Sequence, residues 1–372
     1  METDDFFVTP REQSAVKTRI VEKYFNAWAT IILKYTRDSI GYLDLFCGPG
    51  IYEDGTESTP VKILKKATQD DTLSERLKTI FTDKEPAYVE SLKKTVESLP
   101  GIERLKYQPV IERVEVGEEI ARSIESMKMI PCLSFLDPIG YKGLSLQLIA
   151  GCTKDWGCDC ILFFNTNRIR AAINNPMFEP LINDLFGEEH ANYLRQKLFD
   201  EDEDKRENML IESFWKALEE YAGTRFILPF KFSFPESERT SHHLIFITKN
   251  KLAYKIMKEI MYGESTEKKG EVSLFAFSPS NEMQQLSIFD SEEDLLKVLA
   301  EELLEKFRGK RMKVIEIFYK HNVGTPYILK NYKTVLNKLE AEGKVRIDPP
   351  AGKRSKRKGE LTLKDDALVE FL

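Results

Sequence analysis

Between residues 12 and 36, Val16, Ile20, Phe25, Trp28, Ile32 and Tyr35 recur at helical spacing, which predicts a long amphipathic helix. Gly41 ends that pattern. The short apolar run Tyr42–Phe46 then leads into Gly48-Pro49-Gly50. A strand running into a glycine turn is how a nucleotide-binding βα unit opens. After the polar loop Tyr52–Thr59, Thr59-Pro60 starts a helix with proline in its first turn. Further strands are expected at Thr79–Thr82, ending at Asp83, more weakly near Tyr107–Val114, at Leu133–Leu136, ending at Asp137-Pro138, and at Cys160–Phe164. Helices are expected at Ala87–Leu99, from about Glu118, and at Leu144–Ala150. Strands alternating with helices imply an open, mostly parallel α/β sheet.

A helical insertion is expected over 168–225, with the acidic run Asp200–Asp204 as an exposed loop inside it. Phe226–Phe234 and His243–Thr248 follow as two strands with only a short link, so they must run antiparallel. A parallel sheet closed by one antiparallel strand departs from the dehydrogenase pattern and is the usual ending of a Rossmann-like methyltransferase sheet. That domain is expected to span 1–285.

After a polar break at Gly263–Gly270 and the stretch Ser278–Asn281, a charged helix is expected at Ser291–Phe307. Helices at Met312–Lys320, Thr325–Leu329 and Tyr332–Glu342 come next, the last ended by Gly343. A strand at Lys344–Ile347, a basic loop and a returning strand at Leu361–Leu363 complete a winged helix-turn-helix, expected with its linker helix over 290–372.

Charge sharpens this division. Residues 308–372 carry 16 Lys/Arg against 8 Asp/Glu, a net of +8; with −6 over the whole chain, the remainder carries −14. A basic tail on an acidic body points to an anionic partner for the tail, nucleic acid before membrane. Five of the eight residues Ala351–Lys358 are basic, where the wing should be. Lys353, Arg354, Lys356, Arg357 and Lys358 are therefore the candidate nucleic-acid contacts, to phosphates or the minor groove. A dimerisation wing or a solvated loop is the alternative. The 42% hydrophobic and 31% charged composition, a start without a signal pattern, and apolar runs too short to cross a bilayer lead to the expectation of a soluble, cytoplasmic protein. Cys47, Cys132, Cys152, Cys158 and Cys160 lack paired zinc spacing and read as buried small residues, with no metal expected.

The candidate chemistry lies at strand ends. In Asp44-Leu45-Phe46-Cys47-Gly48-Pro49-Gly50 the glycines allow close backbone approach to a ligand. A pyrophosphate site would need a third glycine, and Glu53 stands there. A shorter GxG with an acidic residue in the preceding strand suits S-adenosylmethionine, which has no phosphate. Asp44, Phe46, Gly48 and Gly50 are the expected cofactor loop, and Asp83 the acceptor of the ribose hydroxyls, its alternative being a helix cap. In Ser134-Phe135-Leu136-Asp137-Pro138-Ile139-Gly140-Tyr141, Asp137 and Tyr141 partly match the Asn/Asp-Pro-Pro-aromatic motif of amino-methyltransferases. There the polar residue holds the target amine and the aromatic stacks on a flipped base. Ile139 replaces the second proline and the aromatic falls one position late, so a loop-stabilising Asp with a packed Tyr is the competing reading. Asn165, ending the next strand, is a further catalytic candidate. A cytosine-5 mechanism lacks its cysteine, because Cys132 precedes the strand and Cys47 lies in the cofactor loop.

With these motifs the chain resembles the three-Cys-motif partner (TcmP) family. The resemblance rests on YLDLFCGPGIYEDGTESTP, FLDPIGYKGLS, FFNTNRIRAAIN, HLIFITKN followed by YKIMKEIM, and the basic winged tail. It implies a methyltransferase-like fold, association with mobile or phage-related gene pairs, and a partner encoded nearby that carries a three-cysteine motif. It implies no established reaction. The sequence thus leads to a nucleic-acid methyltransferase. Its rivals are a non-catalytic nucleic-acid-binding partner that keeps the fold, and an enzyme acting on a small molecule or protein with the winged domain as regulator.

Overall fold

A computed structural model describes residues 5–138, 140–234, 240–266, 268–269, 272–277, 292–357 and 359–372. Ile139, Lys358, the 235–239 link, the Ser278–Asn281 stretch and the expected boundary near 285 lie outside them. The chain divides into two units, Met1–Ile260 and Met261–Leu372. Among the described residues no helix is long and apolar enough to cross a membrane.

The first unit runs α1 (Asp5–Tyr35), β1 (Ile40–Asp44), α2 (Thr59–Thr68), α3 (Asp71–Arg76), β2 (Leu77–Asp83), α4 (Pro86–Glu97), β3 (Val110–Arg113), α5 (Glu118–Ser126), β4 (Cys132–Leu136), α6 (Leu146–Thr153) and β5 (Asp159–Phe164). The helices α7 (Thr166–Ala172), α8 (Glu179–Phe186), α9 (Glu188–Lys197) and α10 (Glu203–Ala222) form the expected insertion; β6 (Phe226–Ser233), β7 (Thr240–Thr248) and α11 (Lys251–Glu264) follow. The seven strands lie in the order β3-β2-β1-β4-β5-β7-β6. β3, β2, β1, β4 and β5 are parallel, and β7 runs antiparallel to both β5 and β6. This is the mixed, mostly parallel sheet of the methyltransferase fold.

β1 and β4 are buried at every position, as central strands covered on both faces must be. α1 covers one face through Tyr24, Phe25 and Trp28; the Phe25 ring meets Tyr42 edge-on at 5.7 Å, and Tyr24 meets Phe246 at 4.6 Å. The insertion builds its own aromatic core, with Phe214 4.9 Å from Phe164 and 6.2 Å from Phe186. All five cysteines are buried thiols.

Two local expectations change. α3 forms because the Asp70 carboxylate accepts hydrogen bonds from the Thr72 and Leu73 amides, both at 3.0 Å. The acidic run 200–204 is not wholly loop: the Asp202 side chain accepts from Lys205 N at 3.0 Å and caps α10, whose first residues are the last two of the run. Carboxylates suit a helix N-terminus because its amides lack partners.

In the second unit, α12 (Glu292–Phe307), α13 (Val314–His321) and α14 (Leu329–Ala341) pack with the antiparallel sheet β8-β12-β9, formed by β8 (Arg311–Lys313), β12 (Leu368–Phe371) and β9 (Val345–Asp348). A separate two-residue hairpin, β10 (Lys356–Arg357) with β11 (Glu360–Leu361), lies between β9 and β12. This is a winged helix-turn-helix with corrected internal boundaries. The helix expected at Thr325–Leu329 is a turn. Asn322 Nδ2 donates back to the Phe318 carbonyl at 2.7 Å, and the Asn322 carbonyl accepts from the Thr325 hydroxyl at 3.0 Å. Asn331 Oδ1 then accepts from Ile328 N at 2.9 Å, so α14 starts only at Leu329. The returning strand is Leu368–Phe371, not Leu361–Leu363, because the buried Val369 and Phe371 carry the inward alternation.

Candidate functional site

Parallel pairing of β1, β2 and β4 brings Asp44, Asp83 and Asp137 to one edge of the sheet. Asp44 is level with Phe81 of β2 and Phe135 of β4, and Asp83 is level with Arg113 of β3. In open α/β folds this carboxyl-end edge is where ligands bind. Asp44 is only 1% exposed, and its Oδ1 accepts from Phe46 N at 3.1 Å. Burial pushes its carboxyl well above the ordinary range; the Phe46 amide opposes this, Asp137 adds to it, and Lys17 pulls it back.

The glycine turn follows from backbone geometry. Gly48 and Gly50 have φ of +66° and +87°, a left-handed region that disfavours side chains. At Gly50 a Cβ would also sit 3.0 Å from Leu92 Cδ1 and 3.2 Å from Leu92 Cα, so the turn is pressed onto α4. Gly48 N donates to Asp83 Oδ2 at 3.1 Å, and Glu85 N donates to Asp83 Oδ1 at 2.9 Å. Asp83 thus both fastens the turn to β2 and shapes the entry to α4. A carboxylate has about four acceptor positions, so two remain for other donors. Phe46 is half-buried; a Cβ at Gly143 would come within 3.3 Å of its ring.

The Asp137 side chain forms an ion pair with Lys17 Nζ of α1; the two side chains are 19% and 14% exposed. The same ammonium lies 5.2 Å from the centre of the Phe163 ring. Lys17 is the principal addition that the motifs did not mark. Its place on the buried face could have found it: Gln13 and Lys17 share one face of α1 with the core residues Ile20 and Tyr24, at i, i+4, i+7 and i+11, and Gln13 is itself buried, donating to the Ser233 carbonyl at 2.7 Å. The aromatic at this edge is Tyr52 rather than Tyr141. Burial first, then the Asp137 and Asp44 carboxylates, hold the Tyr52 phenol well above its ordinary range, although the residue is 41% exposed overall. A Cβ on Gly48 would lie 3.5 Å from its hydroxyl. Tyr141 is instead buried in the core, packed edge-on against Phe178 at 6.3 Å. Asn165 caps α7, its Oδ1 accepting from Arg168 N at 3.0 Å.

β7 is antiparallel, so its first residues reach the same edge. His242 stacks on Phe232 at 4.6 Å and lies 4.5 Å from Phe163; burial and then Lys17 hold its imidazole well below the ordinary value, hence neutral. His243 Nε2 is 3.0 Å from Glu207 Oε1. Burial alone would raise the Glu207 carboxyl, but hydrogen bonds and charge from His243, with Thr240, outweigh it and hold it at about 2.

The residues fit S-adenosylmethionine, a ligand with a cationic sulfonium, an ammonium, a carboxylate and ribose hydroxyls. Asp44 supplies a buried carboxyl, Asp83 and Asp137 supply acceptors, Lys17 supplies a cation, and the glycine turn allows close approach. The buried Tyr42 hydroxyl, close enough to feel both Asp44 and Asp137, has no hydrogen-bond partner among the described residues. Such an orphan is costly unless something binds it.

In the second unit Lys353, Lys356 and Arg357 are exposed. Arg354 is not available in the same way: its side chain is 4% exposed, pairs with Glu340, and donates to Asn337 Oδ1 at 2.8 Å. It latches the wing to α14, helped by Asn337 Nδ2 donating to the Leu361 carbonyl at 2.9 Å and by Lys333 with Asp365 at 2.5 Å. α14 leaves an exposed polar stripe, Lys330, Thr334 and Lys338.

Residues 276–352 match the family described as a GMT-like wHTH domain. No curated protein matches the chain in sequence. The chain is similar to a solved protein from Legionella pneumophila strain Philadelphia 1 at 10% identity, over 62% of this chain and 84% of that one, with a TM-score of 0.36. It is similar to the DszA carbon methyltransferase at 14% identity over 59% and 50% of the two chains (TM-score 0.31), and to the methyltransferase domain of bacterial CtHen1 at 10% over 62% and 99% (TM-score 0.30). The strand order and the matched C-terminal segment together make this a methyltransferase-fold protein with a C-terminal winged helix-turn-helix domain.

Proposed function

We propose that the protein is an S-adenosylmethionine-dependent methyltransferase that modifies nucleic acid held by its winged-helix domain. The observation that carries this reading is the convergence of Asp44, Asp83 and Asp137 around the Gly48–Gly50 turn at the carboxyl ends of three adjacent strands. When bound, the cofactor supplies an electrophilic methyl group. Asp83 would accept from the ribose hydroxyls, and Asp44 would offer a buried carboxyl oxygen to the ligand's amino-acid end. Asp137 would accept a hydrogen bond from the target amine, leaving its lone pair directed at the methyl group. Tyr52, part-exposed beside these carboxylates, takes the aromatic role expected of Tyr141. Lys353, Lys356 and Arg357, with the Lys330, Thr334 and Lys338 stripe, would face the nucleic acid; charge and placement support this. A three-cysteine-motif protein encoded nearby remains the partner that the family resemblance suggests.

A tritiated-methyl transfer assay on duplex DNA, duplex RNA and single strands tests the reading. Wild type should label one class, and Asp137→Ala should abolish that labelling even at saturating cofactor. Labelling undiminished in Asp137→Ala would move catalysis elsewhere. A second reading, a non-catalytic nucleic-acid-binding protein that keeps the fold, is favoured by the burial of Tyr141 and the engagement of Asp137 by Lys17. It predicts nucleic-acid binding with no labelling of any substrate.

A further inference from the structure

We infer that Lys17 is the subsite for the α-carboxylate of the bound ligand's amino-acid end, which makes α1 part of the ligand pocket. This rests on the proposed adenosylmethionine reading and adds a residue that no motif marks. The side chains that close three adjacent strands at the carboxyl edge are all carboxyls: Asp44, Asp83 and Asp137. They suit a sulfonium and an ammonium. They would repel the carboxylate that every amino-acid-bearing adenosyl ligand also carries. Among the described residues, Lys17 is the cation that both pairs with Asp137 and acts on Asp44.

Its position is built rather than incidental. Gln13, one turn earlier, is tied at both ends, donating to the Ser233 carbonyl at 2.7 Å and accepting from the Ser241 hydroxyl at 3.1 Å. Tyr24, two turns later, is fixed by its hydroxyl donating to Asp159 Oδ2 at 2.7 Å. The Phe163 ring lies against the ammonium, which adds cation–π attraction without using a donor. An ammonium has three donors, and Asp137 uses one, so Lys17 can hold Asp137 and a ligand carboxylate together. The orphan Tyr42 hydroxyl, near the same carboxylates, is a second group awaiting a polar partner.

The test is calorimetry on the full-length protein with three probes: adenosylhomocysteine, its carboxyl methyl ester, and 5′-methylthioadenosine, which lacks the amino-acid end. Wild type should bind adenosylhomocysteine about 10- to 100-fold more tightly than the ester, the range expected for a hydrogen bond to a charged group. In K17M that preference should vanish, with methylthioadenosine affinity unchanged; K17R should restore it. If K17M does not fold, K17Q and the wild-type ester comparison carry the test. Equal loss for all three probes would show a merely structural lysine and overturn the inference, as would an unchanged preference in K17M. Wild type that binds none of the probes would overturn the cofactor reading as well.

Discussion

Replacing Gly50 by alanine isolates the packing of the ligand turn onto α4. Two costs arise. The first is backbone strain at φ +87°, about 1–2 kcal/mol for a residue with a side chain. The second is steric, since the new Cβ would lie 3.0 Å from Leu92 Cδ1, 3.2 Å from Leu92 Cα and 3.3 Å from Thr95 Oγ1. The Leu92 Cα belongs to the helix backbone and cannot rotate away, so this behaves as overpacking, about 1–3 kcal/mol. Gly55 provides the control: its φ is +82°, and a Cβ there would meet nothing within 4 Å. The strain term, and the entropy that alanine removes from the unfolded chain, are common to both. Gly50→Ala should therefore destabilise by about 1–3 kcal/mol more than Gly55→Ala. Urea unfolding followed by tryptophan fluorescence measures this cleanly, because Trp28, Trp156 and Trp215 all lie in the first unit. Equal destabilisation by the two substitutions would refute the close approach of turn to helix.

Other consequences follow from buried charges and the wing. The buried Asp159 carboxyl is raised to about 6 by burial, with Thr248 and Tyr24 donating to it in partial opposition. The native state then keeps a proton that the unfolded chain releases near pH 4, so this group's contribution to stability is full below pH 4 and is lost, by about 3 kcal/mol in all, as pH rises through 6. Asp159→Asn should remove that slope in stability measured across pH 4–7; an unchanged slope would count against it. Arg354→Met should strand the Glu340 carboxylate at a cost of about 2–4 kcal/mol, relieved by adding Glu340→Leu. Hydrogen exchange of Ser355–Thr362 amides reads this, and unaltered protection would deny the latch. Neutralising Lys353, Lys356 and Arg357 together should lower the slope of log affinity against log salt, measured by anisotropy, by up to about 0.9 for each phosphate left without its cation. An unchanged slope would point to a protein-facing wing.

The sheet was legible because strand length, strand-terminal aspartates and the short β6–β7 link are local signals, and together they imply its mixed direction. Asp44, Gly48, Gly50, Asp83 and Asp137 were legible for the same reason: each closes a strand or makes its turn. Lys17 was not, since its partner lies 120 residues away and only the fold brings them together. Tyr52 sits in a polar loop with no periodicity, and Tyr141 looked available until packing placed it against Phe178. In the second unit the run of basic residues hid a division of labour. Arg354 is spaced like its neighbours, but Glu340 and Asn337 lie one helical turn apart on α14, which turns one wing arginine inward. The Thr325–Leu329 helix failed because Thr-Pro favours a helix start locally, whereas Asn322 and Asn331 bond the flanking backbone and shorten the segment to a turn.

The central claim is that the carboxyl edge of the first unit is an adenosyl-ligand site. Calorimetric titration of adenosylhomocysteine into the full-length protein tests it most directly, with Asp83→Ala alongside. The account predicts one site per chain in wild type, weakened by about 1–3 kcal/mol in Asp83→Ala through loss of the ribose hydrogen bonds. No binding to wild type, or identical affinity in the variant, would contradict it.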